Sequence, residues 1–310
     1  MPACFYISFF GAIPAVGSGD FDVRSDEFRE ILRPDSKVIR LADGMKFTEG
    51  PVWVEKGRYL LFSDIPANQV KRWSQDHGVS TWLEPSHQAN GHTLDRQGNL
   101  ISCEHAARRV TLMTLDGKRK VKVLADRYQG RRLNAPNDVV VKRDGTIWFT
   151  DPGYGLDPKD AELDKRYVFR LDPRSGGLHP VADDFDRPNG LCFCPEEKKL
   201  YIADSGTAIR HVRVFEVTAD NRLVNGRVFA VIPKGVPDGM RMDTDGRLYV
   251  TGEEGVYVYA PSGALLGTIR VPEVPANCTF GDQGRHTLFI TARTSLYAVT
   301  LASTGAQQPE

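Results

Sequence analysis

The sequence predicts an all-β chain folded as a six-bladed β-propeller, and three observations carry that prediction. A pattern recurs six times along the 310 residues: an Asn, Asp or Glu, a short apolar run, a turn, and a second apolar run. The units are "EGPVWVEKGRYLLFSD" from Glu49, "NGHTLDRQGNLISCE" from Asn90, "NDVVVKRDGTIWFTD" from Asn137, "NGLCFCPEEKKLYIAD" from Asn189, "DGMRMDTDGRLYVTG" from Asp238 and "NCTFGDQGRHTLFITA" from Asn277. Their starts are 41, 47, 52, 49 and 39 positions apart, a period that belongs to propeller blades or helical repeats.

The local pattern arbitrates for strands. Each unit holds short runs rich in Val, Ile, Tyr, Phe and Trp, most of them joined by Gly-containing turns such as Asp144-Gly145 and Asp245-Gly246. Most units add a further strand, as in "NQVKRWS", "RRVTLMTL", "RYVFRLD" and "HVRVFEV", giving three to four strands per unit. Helical spacing is confined to "SDEFREILR" (Ser25 to Arg33), where Phe28, Ile31 and Leu32 share a face behind a Ser cap. The third observation is closure. The sixth unit ends one strand short, and "KVIRLA" (Lys37 to Ala42) is the expected missing outer strand, so that the N-terminal strand closes the last blade and removes an exposed edge. The expected organisation is an N-terminal extension with a short helix (1–36), the propeller (37–301) and a flexible tail (302–310).

Composition excludes several partners. Lys+Arg and Asp+Glu both total 40, with no basic run, so neither nucleic acid nor another polyanion is expected. No stretch reaches the ~18 apolar residues of a membrane helix, so no membrane partner is expected. The five cysteines are scattered without a C-x-x-C pair, which argues against a disulfide framework or thiolate zinc site; Cys192 and Cys194, two apart in one strand, read as buried small hydrophobes. Residues 1–20 have an apolar centre but no preceding Lys or Arg, and Pro14 interrupts them. A loosely packed extension and a cytoplasmic location are therefore expected, a periplasmic one being the alternative if the segment is an export signal.

In a propeller, equivalent residues of the innermost strands fall on a ring around the axis. Here the ring is Glu49, Asn90, Asn137, Asn189, Asp238 and Asn277, all with a side-chain oxygen acceptor. Asn and Asp suit turns, and neighbouring prolines mark turns here, but Glu49 is a poor turn former. Two carboxylates and several amide carbonyls aimed at one axis call for a hard cation. Calcium suits an all-oxygen set, whereas zinc would prefer His or Cys, which the ring lacks. A near-neutral ion site of this kind would accept a neutral polar ester or lactone.

The motifs "FTEGPVW", "APNDVVV", "RPNGLCF" and "VPDGMRMDTDGRLYV" together resemble the senescence marker protein / gluconolactonase / luciferin-regenerating enzyme family of six-bladed propellers, over about Lys37 to Leu301. The resemblance implies that Glu49, Asn189 and Asp238 hold a divalent metal, with Asn137 as ligand or substrate contact. It implies calcium first, with Zn2+, Mn2+ or Mg2+ as alternatives. The implied activity is hydrolysis of a small-molecule lactone, a sugar aldonolactone such as gluconolactone, by water attacking a metal-polarised carbonyl, with Asp238 as catalytic base. Animal members carry an Arg close before the N-D pair, where this chain has Leu133-Asn134-Ala135.

Further candidates line the mouth. Asn90, His92, Glu104 and His105 are expected substrate contacts: His92 shares a face with Asn90 if the strand is regular, and Glu104-His105 depart from the Asp64, Asp151 and Asp204 that end the matching strands of blades one, three and four. For Glu104 and His105 the alternative is a surface ion pair, and the three Asp residues are expected to cap connections. No G-x-S-x-G occurs, so a serine nucleophile is not expected. Two other readings stand beside the sugar lactonase: a metal-dependent esterase or lactonase on a non-sugar substrate, and a non-catalytic binding platform.

Overall fold

The structure, a computed structural model, describes residues 19–206 and 210–306. Its strands form six antiparallel blades, each built outward from an innermost strand or its immediate approach at the six repeat starts (Thr48–Val54, Ala89–Leu94, Val139–Val141, Pro188–Phe193, Met240–Met242 and Pro275–Gly281), and a separate two-stranded ribbon, Arg127–Tyr128 with Arg131–Arg132. The N-terminal strand closes the last blade as expected, with Ile39 opposite Ala298 and Arg40 opposite Tyr297. Blade five carries an additional fifth strand, Phe21–Val23, paired to Leu265–Arg270, which repeat counting did not reveal.

Period-two alternation builds the core. In blade one Val52 and Leu61 pack toward blade two, while Trp53 and Leu60 pack toward blade six. The same division operates in the other blades, so apolar clusters fill the seams between neighbours and join them into one closed body. Cys192 and Cys194 both belong to the cluster between blades four and five, as small core residues. The helix is Asp26–Glu30, with Ser25 Oγ accepting from Phe28 N at 3.1 Å, and it buries Phe28 and Ile31 against blades five and six.

The end of the chain corrects an expectation. A flexible tail was expected from residue 302, but through Ala306 the chain is bonded to the propeller. Ala302 N donates to Ile31 O (2.8 Å), Gly305 N to Arg285 O (2.9 Å) and Ala306 N to Met242 O (2.9 Å), and Tyr249 Oη lies 3.0 Å from Ser303 Oγ. The small residues Ala302, Ser303 and Gly305 permit this close run; a Cβ on Gly305 would overlap the Phe280 ring. Ala306 ends beside Cys192, Met242 and Phe280 on a narrow axial cavity of about 60 Å³. Residues 1–18, which include most of the stretch weighed as an export signal, and 307–310 lie outside the described residues.

At the axis the repeated Gly after the ring residue has a specific use. A Cβ on Gly190 would overlap the backbone of Asp238, and one on Gly50 the backbone of Asn90, in each case the ring residue of the next blade. In these blades the innermost strand therefore meets its neighbour at the level of the ring because that position has no side chain, whereas blades three and six carry Asp138 and Cys278 there. Gly190→Ala is expected to cost about 3 kcal/mol or more through overpacking. By contrast Gly145→Ala, at an open turn of positive φ, is expected to cost about 1 kcal/mol. Chemical denaturation of the two variants compares them; equal losses would show that the strands have slack at the axis.

Candidate functional site

Each ring residue is placed by a local device at the start of its blade. β-Bulges interrupt the innermost strands between Glu49 and Val52, Ala89 and His92, Pro188 and Leu191, and Pro275 and Asn277, re-aiming the side chains at the axis. The approach to three of these strands is pinned by a carboxylate. Asp64 accepts from Lys46 N and Phe47 N (both 3.1 Å), Asp151 from Asn134 N (2.8 Å), and Asp204 from Asp186 N (3.0 Å) and Arg187 N (2.8 Å). These three Asp side chains thus cap connections, as the repeat pattern suggested.

The six ring side chains come together. Asn90 Nδ2 donates to Asn137 Oδ1 (2.6 Å), Asn137 Nδ2 to Asn189 Oδ1 (2.5 Å), and Asn189 Nδ2 to Ser205 Oγ (3.0 Å). At the closure between blades six and one, Asn277 Nδ2 donates to Glu49 Oε2 (3.1 Å), which also accepts from Gly50 N (2.7 Å). Asp238 closes the circuit beside the Asn189 amide and within the field of Glu49. Five of the six are at least 95% buried, whereas Asp238 is half-buried and lines a pocket of about 410 Å³ with Arg210, Val236, Pro275 and Arg293.

Electrostatics set this ring apart from an ordinary turn cluster. Burial pushes the Glu49 carboxyl up to about 7, with Asp138 adding to the shift and the Gly50 N–H and Asn277 amide opposing it. Burial also pushes Asp238 well above the carboxylate range, with Glu49 and then Asp138 reinforcing it. Asp138, the second residue of the N-D pair, is itself buried; its Oδ1 accepts from Val139 N (2.9 Å) and its Oδ2 lies 3.9 Å from Arg241 Nη1 without a hydrogen bond. Three carboxylates against one guanidinium leave two negative charges when all are ionised. That surplus, and an all-oxygen donor set in which the Asn189 carbonyl, accepting one amide bond, keeps a second lone pair, fit a hard divalent cation. Among the described residues no group of three or more His, Cys, Asp and Glu is arranged to hold a metal, so any such site must draw on the Asn side chains.

Two candidate substrate contacts are corrected. His92 is fully buried, with Nε2 2.8 Å from Ser63 Oγ and Nδ1 2.8 Å from Ser102 Oγ. The bulge between Ala89 and His92 breaks the alternation that would have kept it beside Asn90, and burial pushes its pKa down to about 3. Glu104 faces Arg109 across an antiparallel pair and is held by Arg109 Nε (2.6 Å) and Thr111 Oγ1 (2.9 Å), an ion pair away from the ring. His105 does reach the ring: its Nε2 is 3.2 Å from Asn137 Oδ1 and 3.3 Å from Asn90 Nδ2, and burial pushes its pKa down to about 4, leaving a neutral imidazole at pH 7.

Asp138, Arg241, Ser205 and Tyr154 are site residues that sequence reasoning missed. Asp138 and Arg241 lay inside motifs already singled out, but their roles depend on which way each side chain turns. Tyr154 sits in "DPGYG", a blade-three connection with no counterpart in the repeat.

Comparison with known proteins identifies the family. The profile of the family described as SMP-30/Gluconolactonase/LRE-like region matches residues 47–294. A gluconolactonase of Zymomonas mobilis is 34% identical, over 92% of this chain and 86% of its own length. A pentonolactonase of Haloferax volcanii is 27% identical, over 82% and 84%. A solved Xanthomonas campestris structure, described as a gluconolactonase, superimposes with a TM-score of 0.85 at 37% identity, covering 91% of this chain and 94% of that one. With most of its length matched by the profile and by relatives above 30% identity, the chain belongs to the SMP-30/gluconolactonase/LRE-like family.

Proposed function

We propose that the protein is a divalent-cation-dependent lactonase that opens an aldonolactone such as gluconolactone. The observation that carries this reading is the convergence of Glu49 and Asp238, two carboxylates pushed up by burial and by the neighbouring Asp138, with Glu49 raising Asp238 further, at the mouth of a propeller of this family. The named activities of the Zymomonas, Haloferax and Xanthomonas relatives support a sugar lactone as substrate.

Glu49, Asn189 and Asp238 would hold the cation, with Asn137 as fourth ligand or substrate contact and calcium as the first choice. When bound there, the ion supplies polarisation of the lactone carbonyl and charge stabilisation as the carbonyl oxygen becomes negative. The chain's own groups do the rest. Asp238, the accessible member of the ring, takes the proton from the attacking water. The Asn90–Asn137–Asn189 amide chain fixes the direction in which each carbonyl oxygen and N–H is presented. Neutral His105 holds Asn137 from the second blade and offers a contact to the sugar. Buried walls keep bulk water from competing with these fixed dipoles.

Turnover of gluconolactone, followed by acid release with a pH indicator, is expected to disappear with chelator and to return on reloading calcium. Chelator-insensitive or absent turnover would overturn the reading. Asp238→Asn is expected to lower kcat/KM by about 10²-fold or more, the range for loss of a proton-transfer group. Calcium titration of the same variant separates loss of the base from loss of a ligand.

Stability provides an independent pH test. Because folding raises the Glu49 pKa from 4.5 to about 7, its contribution is full below pH 4.5 and is lost as pH rises through 7 in metal-free protein. Asp238 acts in the same direction. A cation binds the ionised pair, so added calcium is expected to stabilise the fold by about 3 kcal/mol at ~100 times Kd at pH 8 and by far less at pH 5. Equal shifts in melting temperature at the two pH values would show that this pair is not the ion's site.

A further inference from the structure

Blade three sends one side chain back to the ring from a long connection. The segment between Ile147–Asp151 and Tyr167–Leu171 turns at Gly153 and Gly155, both of positive φ, and these flank Tyr154. Asn134 ties the two ends of the connection together: its Nδ2 donates to Asp151 O (3.2 Å) and Lys165 O (3.0 Å), while its Cβ packs at the close approach of Gly153. Leu133 and Ala135 on either side of it are buried, so this approach to the ring presents no cation to a substrate. The phenol so placed lies over the ring, accepting from Asn189 Nδ2 at 3.4 Å. Ser205, its other polar neighbour, gives its own proton to Pro237 O and receives one from Asn189. A phenol keeps its proton at neutral pH, so Tyr154 has a donor to offer there. On the far side of Tyr154 a cleft of about 590 Å³ opens, walled by Leu156, Leu163 and Arg187, whose guanidinium lies 5.7 Å from the Tyr154 ring centroid.

We propose that Tyr154 is a specificity-determining residue whose phenolic O–H hydrogen-bonds a ring hydroxyl of the lactone, seating the hydroxylated edge in the cleft beside Arg187 while the ester carbonyl faces Glu49 and Asp238. The proposal rests on the lactonase reading and adds what selects the substrate. A site that hydrogen-bonds a substrate hydroxyl discriminates against analogues lacking it, because its own donor is then left without a partner.

The test compares δ-gluconolactone, which carries ring hydroxyls, with δ-valerolactone, which carries none, in the wild-type protein and in Tyr154→Phe. The substitution removes one oxygen and keeps the ring. The expected result is a fall of about 10- to 100-fold in kcat/KM on gluconolactone and a change of no more than about twofold on valerolactone. Retained valerolactone turnover also reports an intact fold and ring. Equal loss on both substrates, or no loss on either, overturns the role for Tyr154 and leaves the lactonase reading standing. A wild-type protein that opens neither lactone overturns the lactonase reading, and this inference with it.

Discussion

The structure depends on how closely six innermost strands can approach one axis. In blades one, two and four a side chain at the crossing point would overlap the backbone of the next strand, and Gly50, Gly91 and Gly190 remove that obstacle, while Gly239 leaves room for the Asn277 side chain. With the strands in contact, Gly91 N reaches Asn137 O and Gly239 N reaches Ala276 O, both at 2.8 Å, so neighbouring blades are joined by backbone bonds at the level of the ring. Apolar packing then fills the wider seams farther out. The polar ring is therefore held by the tightest part of the fold, where a shift of a few tenths of an ångström has nowhere to go.

That rigidity explains how like charges can be kept together. Glu49, Asp138 and Asp238 would repel one another and draw water in a looser site; here Arg241 offsets one charge and a few N–H donors serve the others. The remaining surplus is a standing preference for protons or for a cation. Under the proposed function a bound cation would turn this neutral hydrogen-bonded cluster into an electrophilic centre, because what disfavours the bare anions favours an ion beside them.

The fold was largely legible because its causes are local and repeated. Strand alternation, Gly-containing turns and the acceptor-plus-Gly pair recur in most blades, and the missing strand of blade six identified Lys37 to Ala42 as the closing piece, of which Ile39–Ala42 form the strand. The extra strand Phe21–Val23 was not legible, since it pairs with a blade that was already complete. Within the site, positions set by the repeat were readable: the six acceptors do converge. Positions set by deviations from the repeat were not. A bulge after Ala89 turned His92 into the seam, the residue opposite Glu104 happened to be Arg109, and Tyr154 reaches the ring from a connection whose path depends on Asn134 and two glycines rather than on a period.

The last ordered residues carry a final consequence. Residues 302–306 lie across the far face, and Ala306 lines, with Arg241, Met242 and Phe280, a small axial void between that face and the ring. A toroid stoppered in this way behaves as a cup rather than a pipe. In a lactonase of the proposed kind the acid product would leave through the same mouth beside Asp238 by which the lactone enters.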